Sequence, residues 1–175
     1  MLCAFFGRDV KIACGAVREH VTLTHRASEV LIAGDALARI VCAVLDGGDL
    51  RDAIFEYARD WFSKRKATDW SREPDAVVIG HRVSPACYIA DAFPASLYLA
   101  WKYAGDFEAG VIANANVGGD NCHRGAVVGA LLGAAVGKAR IPPRFMVGMH
   151  DAAPMRLHIE RLLAGTGSQL RKEVV

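Results

Sequence analysis

The segment ASEVLIAGDALARIVCAVLDGG, residues 27–48, decides the fold class. Val30, Ala33, Leu37, Ile40, Val41, Val44 and Leu45 recur at steps of three and four, the period of one face of an α-helix. Gly47-Gly48 ends the run, because glycine accepts the left-handed backbone with which helices commonly close. Asp49 then suits an N-cap, with Asp52 in the following first turn, where negative charge meets the helix dipole. Leu50, Ile54, Tyr57, Ala58 and Trp61 continue the same periodicity, so 24–64 reads as a helical hairpin with a short connection.

The pattern extends in both directions from this hairpin. Residues 65–84 are polar, contain Pro74, Gly80 and Ser84, and read as a long loop with a short extended piece at AVVIG. The basic run SKRKATDW, 63–70, reads as solvated loop. Pro85 suits the first turn of a helix over 85–105, and Pro94 inside it predicts a kink or a split. Asp106 can cap the next helix, Asp120 can cap a helix over 121–137, Pro142-Pro143 opens a short helix, and APMRLHIERLLAG forms the last. Residues 165–175 read as a loose tail. No alternating strand series occurs, so the expected class is all-α, in a single domain over 1–175.

Bulk composition excludes several functions. The chain is 53% hydrophobic with a net charge of +2 from 21 basic and 19 acidic residues, which supports a sizeable core and argues against nucleic acid as a partner. The apolar run after Arg124 is shorter than the ~20 residues of a membrane helix, so no membrane partner is expected. Five cysteines, widely spaced and without a CxxC, point away from a disulfide framework and toward a reducing, cytoplasmic compartment.

The chemistry concentrates in NVGGDNCHRGAVVGALLGAAVG, residues 116–137. Gly125, Gly129, Gly133 and Gly137 stand four apart, and a glycine inside a helix costs ~1 kcal/mol relative to alanine. A neighbouring helix packed closely against this ridge, deep in the bundle, is the compensation expected. The N-terminal mouth of such a helix offers free N–H groups and a positive dipole end. Gly118-Gly119 permits a sharp bend there. Asp120 reads either as an N-cap or as a cation ligand. Cys122 and His123 diverge by ~100° on a helix, which disfavours a shared metal or a nucleophile–base pair.

The segment DFEAGVIANANVGGDNCHRGAVVGALLGAAVGKARIPPRF, 106–145, resembles the C-terminal signature of the ADP-ribosylglycohydrolase family. There an A-x-N-x-G-G-D-T-D-T segment precedes a glycine- and alanine-rich helix and an I-P. LTHRASEV, GGDLRDAIFEYARD and ACYIADAFPASLYLAW resemble further family segments, in the same order, from about Val21 to about Phe145. The resemblance implies an orthogonal helical bundle and a metal-dependent hydrolase, using Mg²⁺ or Mn²⁺, that cleaves the glycosidic bond between ADP-ribose and an acceptor. Its substrate would be ADP-ribose or an ADP-ribosylated molecule.

Carried onto this sequence, the resemblance makes Asp120 a metal ligand and places Asn116, Gly118, Gly119, Asn121 and His123 on the substrate side. His25 and Ser84 are lesser candidates. The family's second metal-binding aspartate falls on Cys122, and a threonine falls on His123. A thiol is a poor ligand for Mg²⁺. The family's N-terminal acidic motifs are not found, so the chain resembles the C-terminal half, about half to 60% of a usual member. Self-association, or a partner over the missing half, is then expected. The alternative function is a catalytically inactive relative that binds ADP-ribose or a nucleotide, or a helical interaction module. A third reading is a soft-metal or redox protein using Cys122 and His123.

Overall fold

The computed structural model describes residues 2–6 and 9–165. Its helices, in order, are α1 (Leu2–Phe5), α2 (Val10–Thr22), α3 (Ser28–Leu45), α4 (Leu50–Tyr57), α5 (Lys64–Trp70), α6 (Asp75–Val77), α7 (Ile89–Lys102), α8 (Phe107–Asn116), α9 (Asn121–Val136), α10 (Pro143–Val147) and α11 (Ala152–Gly165). Among the described residues there is no strand, and a lone bridge joins Ile79 to Val83. The fold is all-α, as the periodicity predicts. The expected loose tail lies, beyond Gly165, outside the described residues. No helix among the described residues is long and apolar enough to cross a membrane.

The capping chemistry follows the sequence at several ends. Asp49 accepts hydrogen bonds from the Arg51 and Asp52 N–H groups at 2.8 and 3.1 Å, and Asp106 accepts from Ala109 at 3.0 Å. Asp9 does the same for α2, a helix that the stripe analysis does not delimit, by accepting from Lys11 and Ile12. Each bond satisfies a donor that has no partner inside its own helix.

The core differs from expectation in its centre. From Phe93 to Ala100, every residue of α7 is buried. A helix buried on all sides is surrounded by others. Helices α3, α4, α5, α8 and α9 pack around it. Pro94 neither splits it nor ends it. Tertiary burial outweighs the hydrogen bond that proline cannot donate. Phe62, fully buried, carries an aromatic cluster, with ring centroids 5.6 Å from Trp70, 5.9 Å from Trp101 and 6.2 Å from Phe55.

Helix α9 is accordingly not the deepest element. It buries one stripe of Arg124, Val128, Leu131, Leu132 and Val136, while Cys122, His123, Ala126 and Ala130 are exposed. The glycine ridge lies on the flank. A Cβ at Gly129 would meet nothing within 4 Å, and one at Gly133 would make only ordinary contacts of 3.7 Å. Within the ridge, close approach occurs at Gly125, where a Cβ would sit 2.8 Å from the Asn114 amide nitrogen, and on the facing α8 at Gly110, where it would collide with Leu132.

Residues 65–84 also differ from expectation. The SKRKATDW run is α5, capped by Ser63 and anchored by buried Ala67 and Trp70. The AVVIG piece holds an irregular turn over 78–82, with Val78 and Ile79 buried, rather than an extended strand. Asp75 fixes this region to α7. Tyr98 Oη and Lys102 Nζ each donate to one carboxylate oxygen at 2.6 Å, and Tyr103 Oη donates to the other at 2.6 Å. Burial alone would raise the Asp75 pKa, but these three donors outweigh it and hold the carboxyl below its usual range. Burial and the same carboxylate push the Tyr103 phenol up to about 12.

Candidate functional site

The mouth of α9 forms where two left-handed glycines join α8 to α9. Gly118 and Gly119 have φ of 69° and 68°, a region that costs non-glycine residues strain. Gly119 is also sterically required. A Cβ there would lie 2.4 Å from the Pro85 carbonyl oxygen and 2.5 Å from the Pro85 Cβ. The Asp120 N–H donates to that same carbonyl at 2.9 Å. The segment Ser84–Tyr88 therefore runs across the glycine turn, and α7 begins only at Ile89, later than the proline suggests. Ser84 sits in this segment, where its N–H donates to Asp91 and its hydroxyl accepts from Ala86 N–H.

Asp120 occupies the N-cap position but makes no side-chain capping bond. Its two carboxylate oxygens lie 2.8 and 2.9 Å from His123 Nδ1, so that ring nitrogen donates to the carboxylate. This bond, ahead of all other influences, holds the Asp120 carboxyl below the usual carboxylate range. The geometry answers the N-cap reading. The carboxylate is turned mainly to the imidazole, and the Cys122 N–H has no capping side chain.

Beneath the mouth lies a network that sequence reasoning misses. Arg124 is 2% exposed. Its Nε donates to Asn114 Oδ1 at 2.7 Å, and one terminal nitrogen donates to the Gly118 carbonyl at 2.6 Å. Asn114 Nδ2 in turn donates to the Asn121 carbonyl at 2.9 Å. The guanidinium thus clamps the end of α8 to the start of α9 and fixes the glycine turn between them. Burial lowers its pKa, and the nearby Asp120 charge works against that shift. A sequence signal for Asn114 exists in its spacing: four residues after Gly110 and three before Val117, it shares their helix face.

The other sequence candidates distribute as follows. Asn116, the last residue of α8, is exposed. Asn121 opens α9, and its side-chain amide donates to the Ala115 carbonyl at 3.4 Å. Cys122 and His123 are exposed on the outer face of α9. His25 is exposed in the turn between α2 and α3, with Nδ1 2.8 Å from the Thr24 hydroxyl.

A cation of the Mg²⁺ type takes several oxygen ligands at fixed geometry. Among the described residues, no three His, Cys, Asp or Glu side chains form a group that could hold a metal ion. Asp120 offers one carboxylate, already bonded to His123. These residues do not make up a hard-cation site.

A family model described as ADP-ribosylglycohydrolase matches residues 1–173. The chain belongs to this family. No curated protein and no solved structure matches it. ADP-ribosylglycohydrolase membership implies ADP-ribosylated substrates. In this member the GGDNCH segment forms the polar helix mouth.

Proposed function

We propose that this chain recognises ADP-ribose at the mouth of α9 and does not by itself cleave the glycosidic bond. The observation that carries the reading is the state of Asp120, a lone carboxylate whose two oxygens face His123 where a metal-dependent hydrolase would gather several acids. The N–H groups and positive dipole end at a helix N-terminus suit the pyrophosphate. Asn116, Asn121 and His123 supply hydrogen-bonding groups for the ribose, and Gly118, with open space where a Cβ would stand, leaves room for the ligand. The chain acts in the cytoplasm, where its free cysteines match the reducing compartment.

The second reading is a hydrolase using Mg²⁺ or Mn²⁺, favoured by the extent of the family match. It requires acidic ligands from outside this sequence, with Asp120 freed from His123. Calorimetric titration with ADP-ribose, with and without a chelator, tests the proposal, alongside release assays on an ADP-ribosylated peptide. Chelator-insensitive binding without release is the expected result. Absence of binding, or metal-dependent release of ADP-ribose by the chain alone, would overturn it.

A further inference from the structure

Three of the five cysteines come together far from the glycine turn in sequence. Cys3 on α1, Cys14 on α2 and Cys42 on α3 are buried in one small apolar cluster with Ala13 and Ala38. The Cys3 thiol donates to the Ala38 carbonyl at 3.8 Å, one helical turn before Cys42 on the same helix. Cys3 and Cys42 also line a cavity of about 910 Å³, together with Arg39, Asp46 and Tyr57. Cys14 is not on its wall.

We propose that Cys3 and Cys42 are a thiol-modification site, forming a reversible disulfide that staples α1 to α3. Pair chemistry is favoured over a soft metal, because among the described residues no three potential ligands form a metal-holding group. Cys14 is set apart by its surroundings. It lies off the cavity wall that Cys3 and Cys42 share, so an oxidant entering the cavity does not meet it. Burial, and then the neighbouring Cys3, push Cys42 up to about 12, which disfavours Cys42 as the first nucleophile.

The oxidant is a small disulfide of the glutathione class that reaches the thiols through the cavity. The Cys3 thiolate attacks one sulfur of the oxidant, its S–S bond breaks, and one glutathione leaves as thiolate and takes up a proton. The Cys42 sulfur then attacks the mixed disulfide at Cys3. Its proton passes to the second departing glutathione. Two protein thiols become one disulfide, and one glutathione disulfide becomes two thiols.

The test equilibrates the full chain in a series of glutathione redox buffers. The sample is quenched with acid, unfolded, alkylated and weighed by mass spectrometry. Alkylated cysteines are expected to fall from five to three as the buffer becomes more oxidising, with a peptide linking Cys3 to Cys42. Cys14→Ser should oxidise like the wild type, Cys42→Ser should stop as a glutathione adduct on Cys3, and Cys3→Ser should form neither product. The oxidised chain should also unfold at a higher temperature, since the bond closes a long loop. Five alkylated cysteines at every buffer poise, or a disulfide mapping to Cys14, Cys87 or Cys122, would overturn the proposal. The wild-type mapping decides the matter even if a serine variant fails to fold.

Discussion

Gly119 and Gly129 belong to one glycine-rich run, yet the structure gives them opposite requirements. Gly119 has a positive φ and no room for a Cβ beside Pro85, whereas Gly129 has helical backbone and open space. Gly119→Ala should cost ~1–3 kcal/mol, the range for a strained backbone site, and should weaken ADP-ribose binding by displacing the mouth. Gly129→Ala should stabilise the fold by ~0.4–1 kcal/mol through the unfolded chain. Denaturant midpoints of the two variants check the contrast, and equal effects would refute it. Asp120 provides a second residue-scale prediction. Its carboxyl titrates below an ordinary aspartate because His123 donates to it, so His123→Ala should return it toward ~3.9, as read by carboxyl-carbon NMR. An unchanged value would show that the bond is not maintained in solution.

At the scale of elements, the helices with apolar stripes and acidic caps were legible in the sequence. The stripe from Val30 to Leu45 became α3, and Asp49 and Asp106 capped where expected. Residues 64–82 were not legible, because α5 is short and α6 ends in an irregular turn, both held by tertiary anchors such as Trp70 and Asp75 rather than by periodicity. The depth of α7 was hidden by Pro94, and that of α9 was overestimated from its glycines. Within the candidate site, residue types were readable, but the Asp120–His123 pairing and the Arg124 clamp depend on rotamers and on a second helix. The clamp predicts that Arg124→Ala loosens α8 from α9. The loss should be at least ~1.5–3 kcal/mol, the worth of one charge-assisted hydrogen bond, and amide exchange should quicken around Gly118–Asn121 first. The Asp75 anchor predicts a pH dependence. A carboxyl with a depressed folded pKa contributes stability above its unfolded value, ~3.9, and loses it as pH falls through the folded value. Asp75→Asn should therefore be most destabilising near neutrality, with the gap to wild type narrowing on acidification. A gap constant down to the acid limit would exclude Asp75 as the cause.

At the scale of the molecule, the all-α class was readable because a helical stripe is a short-range signal, whereas the location of the uncovered surface was not. Large apolar side chains remain in water on several elements. Leu23 is 79% exposed and Val147 81%, while Ile12, Ile32, Met149, Met155 and Ile159 are also exposed. Single exposed apolar residues are ordinary, but runs of them on α10, α11 and the segment between raise the tendency to associate. Net charge is only +2, so little electrostatic repulsion opposes this. Sedimentation velocity over a wide concentration range should show a weight-average mass rising above the 18.8 kDa of one chain. Val147→Lys with Met149→Lys should lower that rise if the α10–α11 side is the contact, and Leu23→Lys with Ile32→Lys if the α2–α3 side is. Both pairs alter surface positions, so the far-ultraviolet circular dichroism should not change. A mass fixed at one chain at all concentrations would show that the apolar side chains are tolerated singly and that the folded core suffices without a partner.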